Sequence, residues 1–176
     1  MNKLFIVIGA SGVGKTTIVN KITTGYNIHE AISFTTREPR KGEKNGVDYH
    51  FVKENDIDKL NPVEQIKYNE NIYGLIEKSF DYNKNNIVIV EPNGAEQLKT
   101  KLKEKFEIIT IFLELDENIR KQRMIARGDN IEDVLERIEL DKEQFKNISA
   151  DYLIKSSYCL FEAIMFHELF KKEELK

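Results

Sequence analysis

The sequence predicts an α/β fold: a central parallel sheet with helices on both faces. Three observations carry that reading. Residues 3–8, 87–90 and 108–113 are apolar runs of strand length, rich in Ile and Val, the pattern of strands buried on both faces. Segments of helical period lie between and after them. The first run leads through a glycine-rich turn straight into a helix pattern, which is how an α/β unit begins.

After the first strand, residues 9–14 form the turn. A helix starts near Lys15, runs through Ile18, Val19 and Ile22, and stops at Gly25. Residues 32–51 are polar with scattered Gly and Pro, which predicts short strands and turns. Residues 54–82 read as a small helix followed by an irregular or stranded piece. The block 33–82 as a whole is suited to a small inserted lobe. The second strand, 87–90, is followed by Glu91 and Pro92-Asn93-Gly94, and a helix is expected over 94–104. After the third strand, Asp116 is placed to cap a helix running to about Arg127, with Gly128 as its stop. Residues 131–147 have the clearest amphipathic pattern, with Ile131, Val134, Leu135, Ile138 and Phe145 at helical spacing, and Asn130 with Asp133 as a start signal. Residues 152–154 suggest a late strand and 160–170 a closing helix with a charged, fraying tail.

The length of 176 residues fits one domain spanning the chain. Twenty-seven basic and 30 acidic residues leave a net charge of −3, so no broad positive field exists and binding to a nucleic-acid backbone is not expected. With Cys159 as the single cysteine, an intramolecular disulfide is impossible. Its apolar neighbours suggest a buried, inert thiol. Three scattered His residues show no metal spacing. The apolar run at 4–8 is too short to cross a bilayer and no secretion pattern is evident, so the expectation is a cytoplasmic protein without a membrane partner.

Gly9-Ala10-Ser11-Gly12-Val13-Gly14-Lys15-Thr16 matches GxxxxGK[ST] in full, after a strand and before a helix as that motif requires. Glycines let backbone N–H groups turn inward around phosphate, and the helix start adds partial positive charge. Lys15 is expected to reach the β and γ phosphates, and the Thr16 hydroxyl to bind Mg²⁺. The alternative is a glycine turn with an incidental lysine. The loop specifies a nucleoside triphosphate but does not separate a small-molecule kinase from a GTPase or a motor.

Other loci are open to two readings. Glu91, at the mouth of the sheet, suits the hydration shell of Mg²⁺ or the orientation of an acceptor; the alternative is an ordinary strand end. Arg120, Arg123, Arg127 and Arg137 gather in two neighbouring helices, and Arg123 and Arg127 share a face. They suit a lid that follows a transferring phosphoryl group, or else form a solvated charged face. Arg37 and Arg40 flank Glu38-Pro39 and suit an acceptor phosphate. Glu64 could accept hydrogen bonds from a base.

Ser33-Phe34-Thr35-Thr36-Arg37-Glu38-Pro39-Arg40-Lys41-Gly42-Glu43, followed by Gly46-Val47-Asp48-Tyr49-His50-Phe51, closely resembles the guanylate kinase signature. Later pieces agree in order: Asn71-Ile72-Tyr73-Gly74, Glu91-Pro92-Asn93-Gly94-Ala95, Arg123 through Gly128, Arg137 and Asp151-Tyr152. The resemblance covers nearly the whole chain and is densest before residue 52. It implies a three-layer P-loop kinase fold, with a central parallel sheet, an inserted monophosphate-binding lobe at 33–82 and a helical lid at about 120–140, the core being 1–32 and 83–176. The implied activity is ATP-dependent phosphorylation of GMP or dGMP with Mg²⁺, by a monomer or homodimer. The implied ATP-binding set is Gly9, Ala10, Ser11, Gly12, Val13, Gly14, Lys15, Thr16 and Thr17. Arg37, Arg40, Tyr49 and Tyr73 would grip the acceptor phosphate, and Ser33 and Glu64 would read guanine. Glu91 would stand near the metal, through water, and near the acceptor. Lys15, Arg123, Arg127 and Arg137 would be catalytic. The chain departs from the pattern at Leu75, where a hydroxyl residue is usual, at Ile72 in place of a tyrosine, at Ile89 and Glu91 in place of two aspartates, and near Ser156 and Ser157, where an asparagine is usual. Two alternatives stand beside this reading: a P-loop kinase for another phosphorylated acceptor, and a non-catalytic module that binds a phosphorylated protein segment.

Overall fold

The computed structural model describes residues 1–40, 42–68 and 70–155. The expected closing helix, Cys159, Ser156 and Ser157 lie outside the described residues. In chain order the first elements are β1 (Lys3–Gly9), α1 (Lys15–Gly25), β2 (Ile28–Glu30), β3 (Phe34–Thr35), β4 (His50–Phe51), α2 (Ile57–Leu60), β5 (Pro62–Tyr68) and β6 (Asn71–Ile76). There follow β7 (Asn85–Ile89), α3 (Pro92–Leu102), β8 (Glu107–Glu114), α4 (Glu117–Ala126), α5 (Ile131–Gln144) and β9 (Tyr152–Lys155).

Five strands pair in parallel in the order β2-β7-β1-β8-β9, with β1 in the middle. Because successive side chains of a strand point to opposite faces, β1 feeds two cores. Leu4, Ile6 and Ile8 pack with Val88, Val90, Leu98, Leu102 and Phe106 beneath α3. Phe5 and Val7 pack with Val19, Ile22, Ile87, Ile111 and Leu113 beneath α1. Each such side chain contributes about 1.5–3 kcal/mol by leaving water. The three apolar runs are therefore the three central strands, as the absence of alternation predicts.

The boundaries differ from the sequence reading for local reasons. β7 begins at Asn85, ahead of the apolar run, because the buried Asn86 is satisfied: its Nδ2 donates to the carbonyls of Asp81 (2.7 Å) and Lys84 (2.8 Å), and its Oδ1 accepts from the Asp81 N–H (2.9 Å). α3 begins two residues early, with Pro92 in its first turn, where a fixed φ helps and a missing N–H costs nothing. β2 escaped notice because it is a three-residue edge strand with only Ile28 buried. α5 ends at Gln144, and Phe145 instead stacks on Phe112 with centroids 5.9 Å apart. The expected apolar stripe of α5 is also corrected. Ile131 and Leu135 are each 47% exposed, and the buried positions are Val134, Ile138 and Asp141. Val134 and Ile138 close on Met124 of α4, a cluster small enough to need only a narrow stripe. α4 matches its signals: the Asp116 side chain accepts from the N–H groups of Asn118 and Ile119, and Gly128 follows with φ +95°.

The stretch between β2 and β7 builds a second sheet, ordered β4-β3-β6-β5. β5 and β6 form an antiparallel hairpin in which Glu64 faces Leu75, Ile66 faces Tyr73 and Tyr68 faces Asn71. These six residues share one face; Ile72, opposite Lys67, points to the other. Leu75 is fully buried in the same core cluster as Leu4 and Val90, which ties the small sheet to the large one. Gly74 allows the strands to approach: a Cβ there would lie 2.5 Å from the Glu64 carbonyl oxygen and 2.6 Å from the Phe34 ring. Gly74→Ala should therefore destabilise the protein by about 1–3 kcal/mol through overpacking, read as a lower urea midpoint with an unchanged slope.

Candidate active site

The parallel sheet delivers its chemistry at one edge, the carboxyl ends of the strands. β1 ends at Gly9 and opens into the loop; β7 ends two residues before Glu91; β8 leads through Asp116 into α4. Gly12 and Gly14 take φ of +78° and +106°, which L side chains avoid, and so turn the loop toward α1. Gly14 caps α1 without any side-chain bond, leaving the first N–H groups of the helix for an anion. The Lys15 ammonium donates to the carbonyls of Gly9 and Ala10. Thr16 and Thr17 stand exposed on the first turn of α1.

Two arginines of α4 hold the loop from behind. Arg123 donates to the Val13 carbonyl at 2.8 Å and the Gly12 carbonyl at 3.4 Å. Arg120, which as one of four clustered arginines could have been surface charge, is instead buried and paired with buried Asp141 at 2.9 Å. Asp141 Oδ2 also accepts the Ser11 N–H at 2.9 Å, and Arg120 Nη1 donates to the Ser11 carbonyl at 3.1 Å. Both backbone groups of Ser11 are thus committed to α4 and α5. Burial raises the Asp141 pKa, opposed by the Ser11 N–H and by the charges of Arg120 and Lys15. Asp141 carried no sequence signal, since an acidic residue in an amphipathic helix reads as solvated.

Arg127 and Arg137 meet on one carboxylate. Asp129 accepts a forked pair of bonds from Arg127, at 3.0 and 2.5 Å, and a third from Arg137 at 3.2 Å. Partial burial works against the ionised Asp129, but the hydrogen bonds and charge of Arg127, with the charges of Arg40 and Arg137, hold its carboxyl below the usual value. Arg40 belongs to the same positive field. Partial burial and the charges of Arg37, Arg137 and Arg127 lower its pKa.

The third group lies on the small sheet. Arg37 makes a forked pair with Glu43, both bonds 3.0 Å, and sits over the Tyr49 and Phe51 rings at 5.5 and 5.9 Å. Glu43 also accepts the Arg40 backbone N–H at 2.7 Å, which fixes the turn between the two arginines. Tyr49 meets Tyr73 edge to face at 5.9 Å, and burial pushes its hydroxyl up to about 12. Ser33 starts this region, its carbonyl accepting the His50 N–H at 2.9 Å.

Two carboxylates complete the cleft. Glu64 is 2% exposed and its carboxyl lies against Gly94 in the first turn of α3, where any Cβ would collide with it. Burial, with a smaller contribution from Glu91 against Lys101, pushes it up to about 7. Glu91 has an enclosed Oε2 with no hydrogen-bond partner; burial raises its pKa, opposed by the charge of Lys15. The structure brings Arg40 near Arg37, Arg127 and Arg137, and Glu91 near Lys15 and Glu64, while Ser33 is placed only by its backbone bond and Thr16 and Thr17 stand exposed. The sequence reading missed Glu43, Asp129 and Asp141, which hold those arginines.

The family model for guanylate kinase matches residues 1–162. The chain belongs to the guanylate kinase family. It is 37% identical to the guanylate kinase of Malacoplasma penetrans over 157 residues, covering 82% of this chain and 79% of that one. It is 28% identical to that of Campylobacter jejuni over 184 residues, covering 96% and 90%. A crystal structure of guanylate kinase from Anaplasma phagocytophilum superposes with a TM-score of 0.74 at 22% identity, over 99% of this chain and 87% of that one, which shows the shared fold. Two departures from the guanylate kinase pattern now have a place. Ile72 lies on the face of the small sheet away from Glu64 and Tyr73. Leu75 shares their face but is spent on the core.

Asp141→Ala should strand Arg120 as a buried, unpaired charge and orphan the Ser11 N–H. A loss of about 3–5 kcal/mol is expected, measured by urea denaturation, together with weaker ATP binding by calorimetry.

Proposed function

We propose that the protein transfers the terminal phosphoryl group of ATP to GMP or dGMP, giving the two nucleoside diphosphates. The observation that supports this most is the nearness of an intact phosphate loop to two buried carboxylates: the Lys15 charge acts on Glu91 and Glu91 acts on Glu64, while Arg40 lies in the field of Arg37, Arg127 and Arg137. A phosphate loop alone accepts any triphosphate. A buried carboxylate facing the acceptor selects a base with adjacent N–H donors, as guanine has at N1 and N2; adenine in the same pose presents an acceptor at N1 and only C–H at C2, which is costly in a closed site.

In this reading residues 33–82 form the monophosphate lobe and residues 120–140 the lid. ATP lies along residues 9–17 with Lys15 on its β and γ phosphates. Lys15 now bonds to the carbonyls of Gly9 and Ala10 and exchanges them for phosphate oxygens. Arg37, Arg40, Tyr49 and Tyr73 hold the acceptor phosphate, while Ser33 and Glu64 hold the base. Arg123, Arg127 and Arg137 stabilise charge on the transferring oxygens. Closure brings the acceptor oxygen in line and excludes water. No covalent intermediate is needed, and no general base either, because a monophosphate is already largely ionised near neutral pH.

Mg²⁺ accompanies ATP in this family. Among the described residues no three His, Cys, Asp or Glu side chains gather into a cage. A small hard cation that keeps several waters suits what is present: the Thr16 hydroxyl, and the unpartnered Oε2 of Glu91 through water. Thr16 and, through water, Glu91 would hold it, and it would supply positive charge to offset that of the ATP phosphates.

A second reading, an acceptor other than guanine, is favoured by Leu75, which brings no hydroxyl to the base-facing side of the sheet. Steady-state transfer from ATP across GMP, dGMP, AMP, UMP, CMP and dTMP decides. The highest kcat/KM is expected with GMP or dGMP, and strong turnover only on a non-guanine acceptor would reject the first reading. Lys15→Ala should lower kcat by roughly 10²–10³-fold, by analogy with losing one transition-state donor, with an unchanged circular dichroism spectrum. Leu75→Ser should raise kcat/KM for GMP if the missing hydroxyl limits recognition, with a lower melting temperature because Leu75 is fully buried in the core.

Glu64 also predicts a pH dependence. Its ionised form accepts from guanine, so GMP binding favours proton release. Affinity should be full above about 7 and fall as pH drops below it. The monophosphate itself titrates near 6, so the control is Glu64→Gln, in which that part of the slope should vanish from KM profiles.

A further inference from the structure

The unexplained group in the cleft is a tyrosine that neither the loop, the lid nor the acceptor clamp includes. Tyr68 ends β5, on the face that carries Glu64 and Tyr73. Its ring meets Tyr73 edge to face at 6.5 Å, and Tyr73 in turn meets Tyr49. The hydroxyl is enclosed and makes no hydrogen bond of good geometry; the Ser11 side chain is its nearest polar neighbour, close enough to lower its pKa against burial. It lies beside Ser11 of the phosphate loop, within the fields of Asp141, Glu91 and Arg137. Tyr68 thus starts on the acceptor's sheet and ends at the donor's loop.

An enclosed hydroxyl without a partner is rare, because such groups ordinarily find one. The Ser11 backbone is already engaged, its N–H by Asp141 and its carbonyl by Arg120, and the Ser11 hydroxyl stands near Tyr68 without a well-formed bond to it. Burial holds the Tyr68 hydroxyl well above its ordinary pKa, to about 12, so it stays a donor throughout the physiological range. What it lacks is an acceptor in good geometry. Ile72, the other candidate hydroxyl position on this hairpin, faces away, so Tyr68 and Tyr73 are the two β5–β6 tyrosines on the cleft side.

We propose that the Tyr68 hydroxyl donates a hydrogen bond to an oxygen of the phosphoryl group as it passes from ATP to the monophosphate, making Tyr68 a catalytic residue of this protein. The inference rests on the phosphoryl-transfer reading above. Tyr68 supplies a neutral donor where the surrounding groups supply cations. It differs from Arg37, Arg40 and Tyr73 in touching the group in flight and not the acceptor phosphate at rest. Its loss should therefore slow transfer without loosening either substrate.

The test is Tyr68→Phe, which removes one oxygen and keeps the ring against Tyr73. Single-turnover transfer from ATP to GMP is followed by rapid quench, with dissociation constants for each nucleotide and a thermal melt. The rate should fall about tenfold or more, as for other transition-state donors, with both dissociation constants within twofold of wild type. The melting temperature should hold, since the hydroxyl has no well-formed hydrogen bond to lose. ADP with aluminium fluoride and GMP, a mimic of the group in flight, should bind more weakly by a factor similar to the rate loss. A rate within twofold of wild type overturns the inference, as does a lower melting temperature with unchanged mimic binding, which would mark a packing residue. Wild-type protein that transfers nothing to GMP overturns the parent reading, and that result needs no variant.

Discussion

Everything at the cleft depends on the register of one buried strand. β1 pairs in parallel with β7 on one side and β8 on the other, with Ile6 facing Val88 and Thr110. That register brings the end of β1 level with the end of β7. Gly9 and Glu91 therefore open at the same edge, and β8 releases α4 beside them. A one-residue slip of β1 would turn Phe5 and Val7 into the wrong core and move the loop away from the arginines that hold it. The alternating burial of this strand between two core clusters is what forbids the slip.

Polar groups divide sharply by location. Away from the cleft, buried ones are satisfied: Asn86 binds the turn before β7, and Thr110 with Asp151 ties β8 to the start of β9 through bonds of 2.7 Å. Among the described residues the enclosed atoms without partners include Tyr68 Oη, Glu91 Oε2 and Arg137 Nε, all of them around the cleft. Unsatisfied groups in a folded protein cost about 1–3 kcal/mol each. Their confinement to one place is the mark of a surface made to meet charged ligands. The arginines there are not bare. Glu43 holds Arg37, Asp129 holds Arg127 and Arg137, and loop carbonyls hold Arg123, so each is oriented before any phosphate arrives.

Much of this was legible in the sequence. The apolar runs located three central strands because burial on both faces leaves no polar alternation. The glycine loop was legible because its φ values demand glycine at 12 and 14. The small sheet was seen only as strands and turns. Its pairs are two residues long in β3 and β4, and such pairs are set by tertiary contact with β6. Asp129 and Asp141 were invisible for a different reason. In sequence, an acidic residue on a helix or after a glycine looks solvated, and only the fold turns Asp129 onto its neighbours Arg127 and Arg137 and brings Asp141 against Arg120, 21 residues away. Tyr68 was invisible because strand alternation fixes its face only once the hairpin register with Asn71 and Tyr73 is known.

The Arg120–Asp141 pair constrains how this chain can change. The two positions sit on different helices, 21 residues apart, yet neither can be exchanged alone without leaving a charge enclosed and unmatched. A descendant with small apolar residues at both positions could pack well, but each single step toward it crosses a chain that folds poorly. The two sites should drift together or stay fixed. Anyone recombining fragments of related sequences at a junction between α4 and α5 should keep both partners from the same parent.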